Sequence, residues 1–132
     1  MRRIYLALVL PVILAGCATS GKAVKDHNLI NVFYADMPHP KTAGIVADMS
    51  SYCSSGLFDV EHNDLNNIGV STVDLKNKHA NHYYLHVEVE AAGSNKSKVA
   101  VYHFQNTRVT REMGKAVESW VLNNSKVCVP GF

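Results

Sequence analysis

The sequence predicts an α+β domain: a two-layer sandwich in the order β-α-β-β-β-α, with two helices on one face of a largely antiparallel sheet. Three observations carry this. Residues 82–91 alternate, with Tyr83, Leu85, Val87 and Val89 pointing one way and His82, Tyr84, His86, Glu88 and Glu90 the other. Residues 93–97 (Gly-Ser-Asn-Lys-Ser) are turn chemistry, and residues 98–104 return as a hairpin partner. Two further stretches, one near each end of the domain, repeat apolar residues at helical spacing.

Taken in order, residues 29–35 (Leu-Ile-Asn-Val-Phe-Tyr-Ala) are β-branched and aromatic and read as the first strand. Asp36-Met37-Pro38-His39-Pro40 breaks it, and Pro40 suits the first turn of a helix, where its missing N–H costs nothing. Ile45, Val46, Met49, Tyr52 and Cys53 form an apolar stripe, and Gly56 stands where a helix end wants positive φ, so the first helix spans about residues 41–54. Residues 57–61 alternate as a second strand. Residues 63–80 are rich in Asn, Asp, Lys and Ser and read as a long loop with a short extended piece at 70–73, a length that is often functional or mobile. After the hairpin, Thr110 is a plausible N-cap. Met113, Ala116, Val117, Trp120 and Val121 then make the stripe of a second helix over residues 111–123, with Cys128 in the tail beyond.

Ahead of this domain, Met1-Arg2-Arg3 precedes an apolar run of about a dozen residues, the form of a secretory signal. The run is short for a permanent span, which needs about 20 apolar residues. Leu14-Ala15-Gly16-Cys17 resembles the bacterial lipobox. The resemblance implies a signal peptide over residues 1–16, cleavage before Cys17, and lipid on that thiol, with acyl chains such as palmitate holding the protein on a membrane. Residues 17–28 then read as a lipidated tether, polar and small, and residues 29–132 as one domain. Ala18 replaces the Asp that retains lipoproteins on the inner membrane in the enteric sorting rule. The expected address is therefore the outer membrane, facing the periplasm.

Without the signal, about 116 residues remain, a common single-domain size. The formal net charge of +2 includes Arg2 and Arg3, so the mature part is near neutral and lacks the basic excess of a nucleic-acid binder. With Cys17 carrying lipid, Cys53 and Cys128 are left, and an even pair in an oxidising compartment normally bonds. A Cys53–Cys128 disulfide is expected. Two free thiols, or a redox-active pair lacking Cys-x-x-Cys spacing, are the alternatives.

The candidate chemistry is sparse. His82, His86 and His103 could bind Zn²⁺ or Cu²⁺ if the hairpin register brought them together, but a solvated polar sheet face accounts for them equally simply and is preferred. Glu88 and Glu90 read as solvated charge, since nothing separates their acidities. No Gly-x-Ser-x-Gly elbow and no phosphate-cradling loop occur. Trp120 reads as core. Tyr84, His86 and Glu88 are the expected partner contacts, an aromatic among polar groups being suited to an interface.

The helix leading into Ser55-Gly56-Leu57-Phe58-Asp59-Val60, followed later by His82-Tyr83-Tyr84-Leu85-His86-Val87-Glu88-Val89, resembles small envelope lipoproteins that share the fold of the TolB amino-terminal domain, among them curli-secretion and polysaccharide-export accessory proteins. The chain lacks the Ala-Asp-Tyr that leads into that strand in those proteins. The resemblance implies an adaptor or ring-forming subunit of an envelope assembly or export system and transfers no functional residue. The sequence thus points to a non-enzymatic, membrane-anchored interaction or assembly subunit with no cofactor. Its partners would be membrane lipid and an envelope protein or further copies of itself. The second reading is a small-ligand or metal-binding lipoprotein.

Overall fold

The computed structural model describes residues 28–79, 83–105 and 107–132. Cys17, the expected signal peptide, the expected tether up to residue 27, and His82 lie outside these residues. The elements are β1 (Leu29–Ala35), α1 (His39–Ser54), β2 (Phe58–Leu65), β3 (Val70–Asn77), β4 (Tyr83–Ala91), β5 (Ser97–His103) and α2 (Arg108–Leu122). The strands form one antiparallel sheet in the order β1-β5-β4-β3-β2, with β1 and β2 at its edges. Both helices pack on one face, α1 over β2, β3 and β4, and α2 chiefly over β1. The α+β, two-layer class expected from the sequence is the one found, with one strand more.

That extra strand is β3, inside the stretch expected to be a loop. Its residues alternate: Ser71, Val73 and Leu75 are buried on the helix face, while Thr72, Asp74 and Lys76 take the other. A four-residue turn joins it to β2, with Ile68 N–H donating to Leu65 O at 3.1 Å. Gly69 closes the turn at φ +67°, a conformation glycine adopts at little cost. The polar residues that suggested a loop are the solvent-side half of a strand.

Val73, Leu75, Leu85, Val87, Val89, Val99 and Val101, all fully buried, line the helix face of the sheet. Against them α1 presents mostly small residues, Thr42, Ala43, Val46, Ala47, Ser50 and Cys53. Ile45 and Met49 pack on the flank of the core, and Tyr52, expected in the stripe, is exposed. Small side chains let the helix backbone approach the sheet, which rotates the bulkier row aside. The helix ends through Ser55 and Gly56, both at positive φ.

On α2 the expected stripe is the observed one: Met113, Ala116, Val117, Trp120 and Val121 are buried. Its N-cap is Thr107 rather than Thr110. Thr107 Oγ1 accepts from the Thr110 N–H at 3.2 Å, and Thr107 N–H donates to Thr110 Oγ1 at 2.8 Å, a reciprocal cap that satisfies two end donors. Beyond α2 the tail folds back under the helices. Trp120 Nε1 donates to Val127 O at 2.9 Å, and its ring lies 4.9 Å from that of Phe132. Cys128 bonds Cys53, with Cα atoms 5.4 Å apart, tying the tail to the last turn of α1 as expected.

Candidate functional site

Pairing register decides which side chains can act together. In the β4–β5 hairpin His86 faces Tyr102 and His103 faces Leu85. His86 and His103 therefore lie on opposite faces of the sheet. The geometry does not bring the expected His82, His86, His103 set together, and His82 itself lies outside the described residues. Among those residues, no group of three or more His, Cys, Asp or Glu side chains converges as metal ligands do.

The expected contact trio of Tyr84, His86 and Glu88 is also divided. A bulge in β4 leaves Tyr84 as the extra residue between the pairs Leu75–Leu85 and Lys76–Tyr83, so that Lys76 faces Tyr83 instead of Tyr84. Tyr83 then takes the face without helices, where its hydroxyl donates to Glu61 Oε2 at 3.0 Å and Lys76 Nζ stands 5.9 Å from its ring centre. Desolvation first, and the Glu61 carboxylate second, hold that phenol above its ordinary pKa. Tyr84 turns to the helix side. Its ring meets Phe58 edge-on at 5.3 Å and lines a cavity of about 330 Å³ with Phe104, Val109 and Met113.

His86 and Glu88 remain on the open face, though not as solvated groups. His86 is 6% exposed. Its Nδ1 lies 2.6 Å from Asp74 Oδ1, and its Nε2 lies 3.6 Å from Glu88 Oε2. The Tyr102 ring stands 5.9 Å away. The two carboxylates occupy opposite ring nitrogens and do not converge on a single point, so the trio is a clamp on the imidazole and not a ligand set. Glu90 is exposed. Asp74 was hidden from sequence reasoning because its strand resembles a loop.

His103 is the reverse case. It is fully buried on the helix face, and neither ring nitrogen has a hydrogen-bond partner. Gly114 of α2 packs over it: a Cβ there would meet His103 Nε2 in ordinary contact at 3.9 Å and Ile30 Cγ2 more tightly at 3.2 Å, so glycine lets the helix approach β1. Burial pushes the imidazole pKa down to about 4, which keeps it neutral. Strand parity was the available signal: residue 103 shares the face of Val99 and Val101.

A second polar chain ties α1 to the sheet. Ser71 Oγ donates to Asp64 Oδ1 at 2.5 Å and lies 2.8 Å from His39 Nδ1, while His62 Nε2 lies 2.9 Å from the same carboxylate oxygen. Because the Ser71 proton goes to Asp64, the His39 imidazole is the donor to Ser71, the opposite of a nucleophile–base pair. The Ser71 bond is the main reason Asp64 titrates below its ordinary value. His62 adds to it and desolvation opposes it.

The two edges of the sheet differ. β1 carries no charged residue and no proline. Leu29, Val32 and Tyr34 are 56%, 41% and 54% exposed along it. Beside it runs a groove of about 240 Å³ lined by Ile30, Asn31, Arg111, Lys115 and Glu118. Glu118 is held toward the strand by a 2.9 Å bond from Asn31 Nδ2. β2 is acidic, with Asp59, Glu61 and Asp64 exposed along it. No protein-family model matches the chain, and no curated protein matches it.

Proposed function

We propose that the chain is a lipid-anchored protein of the bacterial envelope whose folded domain is a non-enzymatic interaction or assembly subunit. The observation that carries this reading is the β1 edge. An edge strand offers unpaired backbone N–H and C=O groups, and proteins usually blunt such edges with charge, proline or a bulge that twists them away. β1 has an irregularity between Leu29 and Asn31, but from Asn31 to Ala35 it pairs regularly, with Val32 and Tyr34 exposed and no charge or proline anywhere in the strand. Such an edge accepts an added strand, with backbone bonds giving affinity and alternate side chains giving specificity. The lipobox-like Leu14-Ala15-Gly16-Cys17 supports the address and would hold this edge near the membrane.

The test is chemical cross-linking in intact cells, followed by purification of the lipidated protein and mass spectrometry of what accompanies it. A defined envelope complex, lost when Val32→Lys and Tyr34→Lys charge the edge, supports the reading. Recovery of the protein alone, at monomer mass, contradicts it.

The apolar cavity between Phe58, Tyr84, Phe104 and Met113 favours a second reading, a lipoprotein that binds a small apolar ligand. Titration with a fluorescent fatty-acid analogue measures it. A dissociation constant weaker than about 1 mM, near −4 kcal/mol, removes this alternative.

A further inference from the structure

We propose that the β1 edge of one copy of this chain pairs with the β2 edge of the next, so that copies add head to tail into one continued sheet. This rests on the reading of β1 as the contact surface and names its partner.

Direction comes first. Four successive antiparallel pairings make β1 and β2 run the same way. A second copy set beside the first with its helices on the same side therefore presents β2 parallel to β1. Alternation continues across the joint. Phe33 and Ala35 share the helix face with Phe58 and Val60 of the neighbour, and Val32 and Tyr34 share the open face with its Glu61 and Asn63.

Charge agrees. Lys98 is opposite Tyr34 across β5, Lys96 lies 5.4 Å from the Tyr34 ring centre, and Arg111 and Lys115 line the groove beside β1 with Glu118. With Glu112, which pairs Lys115 at 3.3 Å, and the exposed Asp36 after β1 also counted, the rim of β1 keeps a small positive excess. The rim of β2 carries Asp59, Glu61 and Asp64 against Lys78, which sits 3.8 Å from Asp59. Opposite rims attract across a joint, and like rims repel.

Helix spacing excludes the symmetric alternative through β1. Since α2 lies chiefly on β1, two paired β1 strands would set two α2 axes about 5 Å apart, where packed helices need about 8–10 Å. Pairing β2 with itself would bring two acidic rims together, each carrying Asp59, Glu61 and Asp64. In the head-to-tail joint, α2 over β1 meets the neighbour's α1, which is centred on β3. Two strand spacings separate them, about 10 Å, within helix packing distance.

The test uses the lipidated full chain in mild detergent, followed by analytical ultracentrifugation over a range of concentrations. One variant carries Val32→Lys and Tyr34→Lys, blocking β1. A second carries Asn63→Lys and Leu65→Lys, blocking β2. All four positions are exposed, and unchanged circular dichroism with the Cys53–Cys128 bond intact certifies each fold. A third variant, Arg111→Glu with Lys115→Glu, weakens the β1 rim without touching the sheet. The unaltered chain is expected to assemble beyond dimers, each blocked chain to associate at least tenfold more weakly, and an equimolar mixture of the two blocked chains to form dimers and stop. A monomer at every concentration overturns the proposal, as does a β2-blocked chain that still assembles alone. If the chain is monomeric while its β1 edge captures a different envelope protein in cells, only the self-partner fails. If it also captures nothing, the interaction reading fails with it.

Discussion

The two faces of the sheet each bury a histidine, and they treat it in opposite ways. On the open face, His86 is clamped between Asp74 and Glu88. On the helix face, His103 sits among apolar side chains with no partner at either nitrogen. The residue type is the same and the strands are neighbours, so the difference comes from what stands opposite. A face without helices leaves room for a polar network across β3 and β4, whereas a face sealed by α2 excludes the groups and the water that would satisfy an imidazole.

The first way to break this contrast is to loosen the seal. The disulfide closes the chain over a sequence separation of 75 residues. Replacing both partners, Cys53→Ser with Cys128→Ser, should lower stability by about 4 kcal/mol on the chain-entropy estimate. Urea unfolding measures it, and an unchanged midpoint would show that the tail docks through Trp120 and Phe132 alone.

Acid acts next, and on the helix face. His103 has its pKa lowered to about 4 from 6.5. The unfolded chain therefore takes up a proton below pH 6.5 that the folded chain refuses until about pH 4. Stability contributed by the neutral ring is complete above pH 6.5 and is lost as pH falls from there to about 4, on the order of 3 kcal/mol in total. His103→Leu should flatten this part of the pH dependence and raise stability at pH 7 by about 1 kcal/mol, because it removes a buried group with no partner. Denaturant midpoints from pH 7 to 4 check it. Parallel curves for the two proteins would mean that His103 finds a partner in solution.

On the open face, Asp74→Ala should cost about 1–3 kcal/mol by leaving the buried His86 Nδ1 unsatisfied. A double-mutant cycle with His86→Ala should return a coupling of about 1 kcal/mol or more, and additivity would dissolve the clamp. The smallest effect lies at the helix start. Thr107→Ala removes the reciprocal cap and should cost about 1 kcal/mol by thermal unfolding, while Thr110→Val removes only half of it and should cost less.

Legibility in the sequence followed the same division. Strong periodicity was readable, so the stripe of α2, the alternation from Leu85 to Val89, the two-layer class and the Cys53–Cys128 bond all emerged from residue order. β3 was readable only in part: an extended piece at residues 70–73 was expected, but Thr72, Asp74 and Lys76 have loop composition, and only the parity of Ser71, Val73 and Leu75 marks a full strand. The exchange of Tyr83 and Tyr84 between faces lay beyond sequence reasoning altogether: two adjacent tyrosines fit either parity, and nothing in the residue order marks the bulge at Tyr84 that causes it. The separation of His86 from His103 was available, since residues 99, 101 and 103 share a face that two valines mark as apolar. The open edge at β1 was invisible until strand order placed it at the rim.

The most direct test of the account places a photoreactive amino acid at position 32 on β1 and, separately, at position 122 at the end of α2, in the full chain in living cells. The account predicts a discrete protein adduct from position 32, either with another copy of the chain or with an envelope protein, and none of comparable yield from position 122. Adducts from 122 alone, or from neither, would contradict the claim that this domain works through its β1 edge.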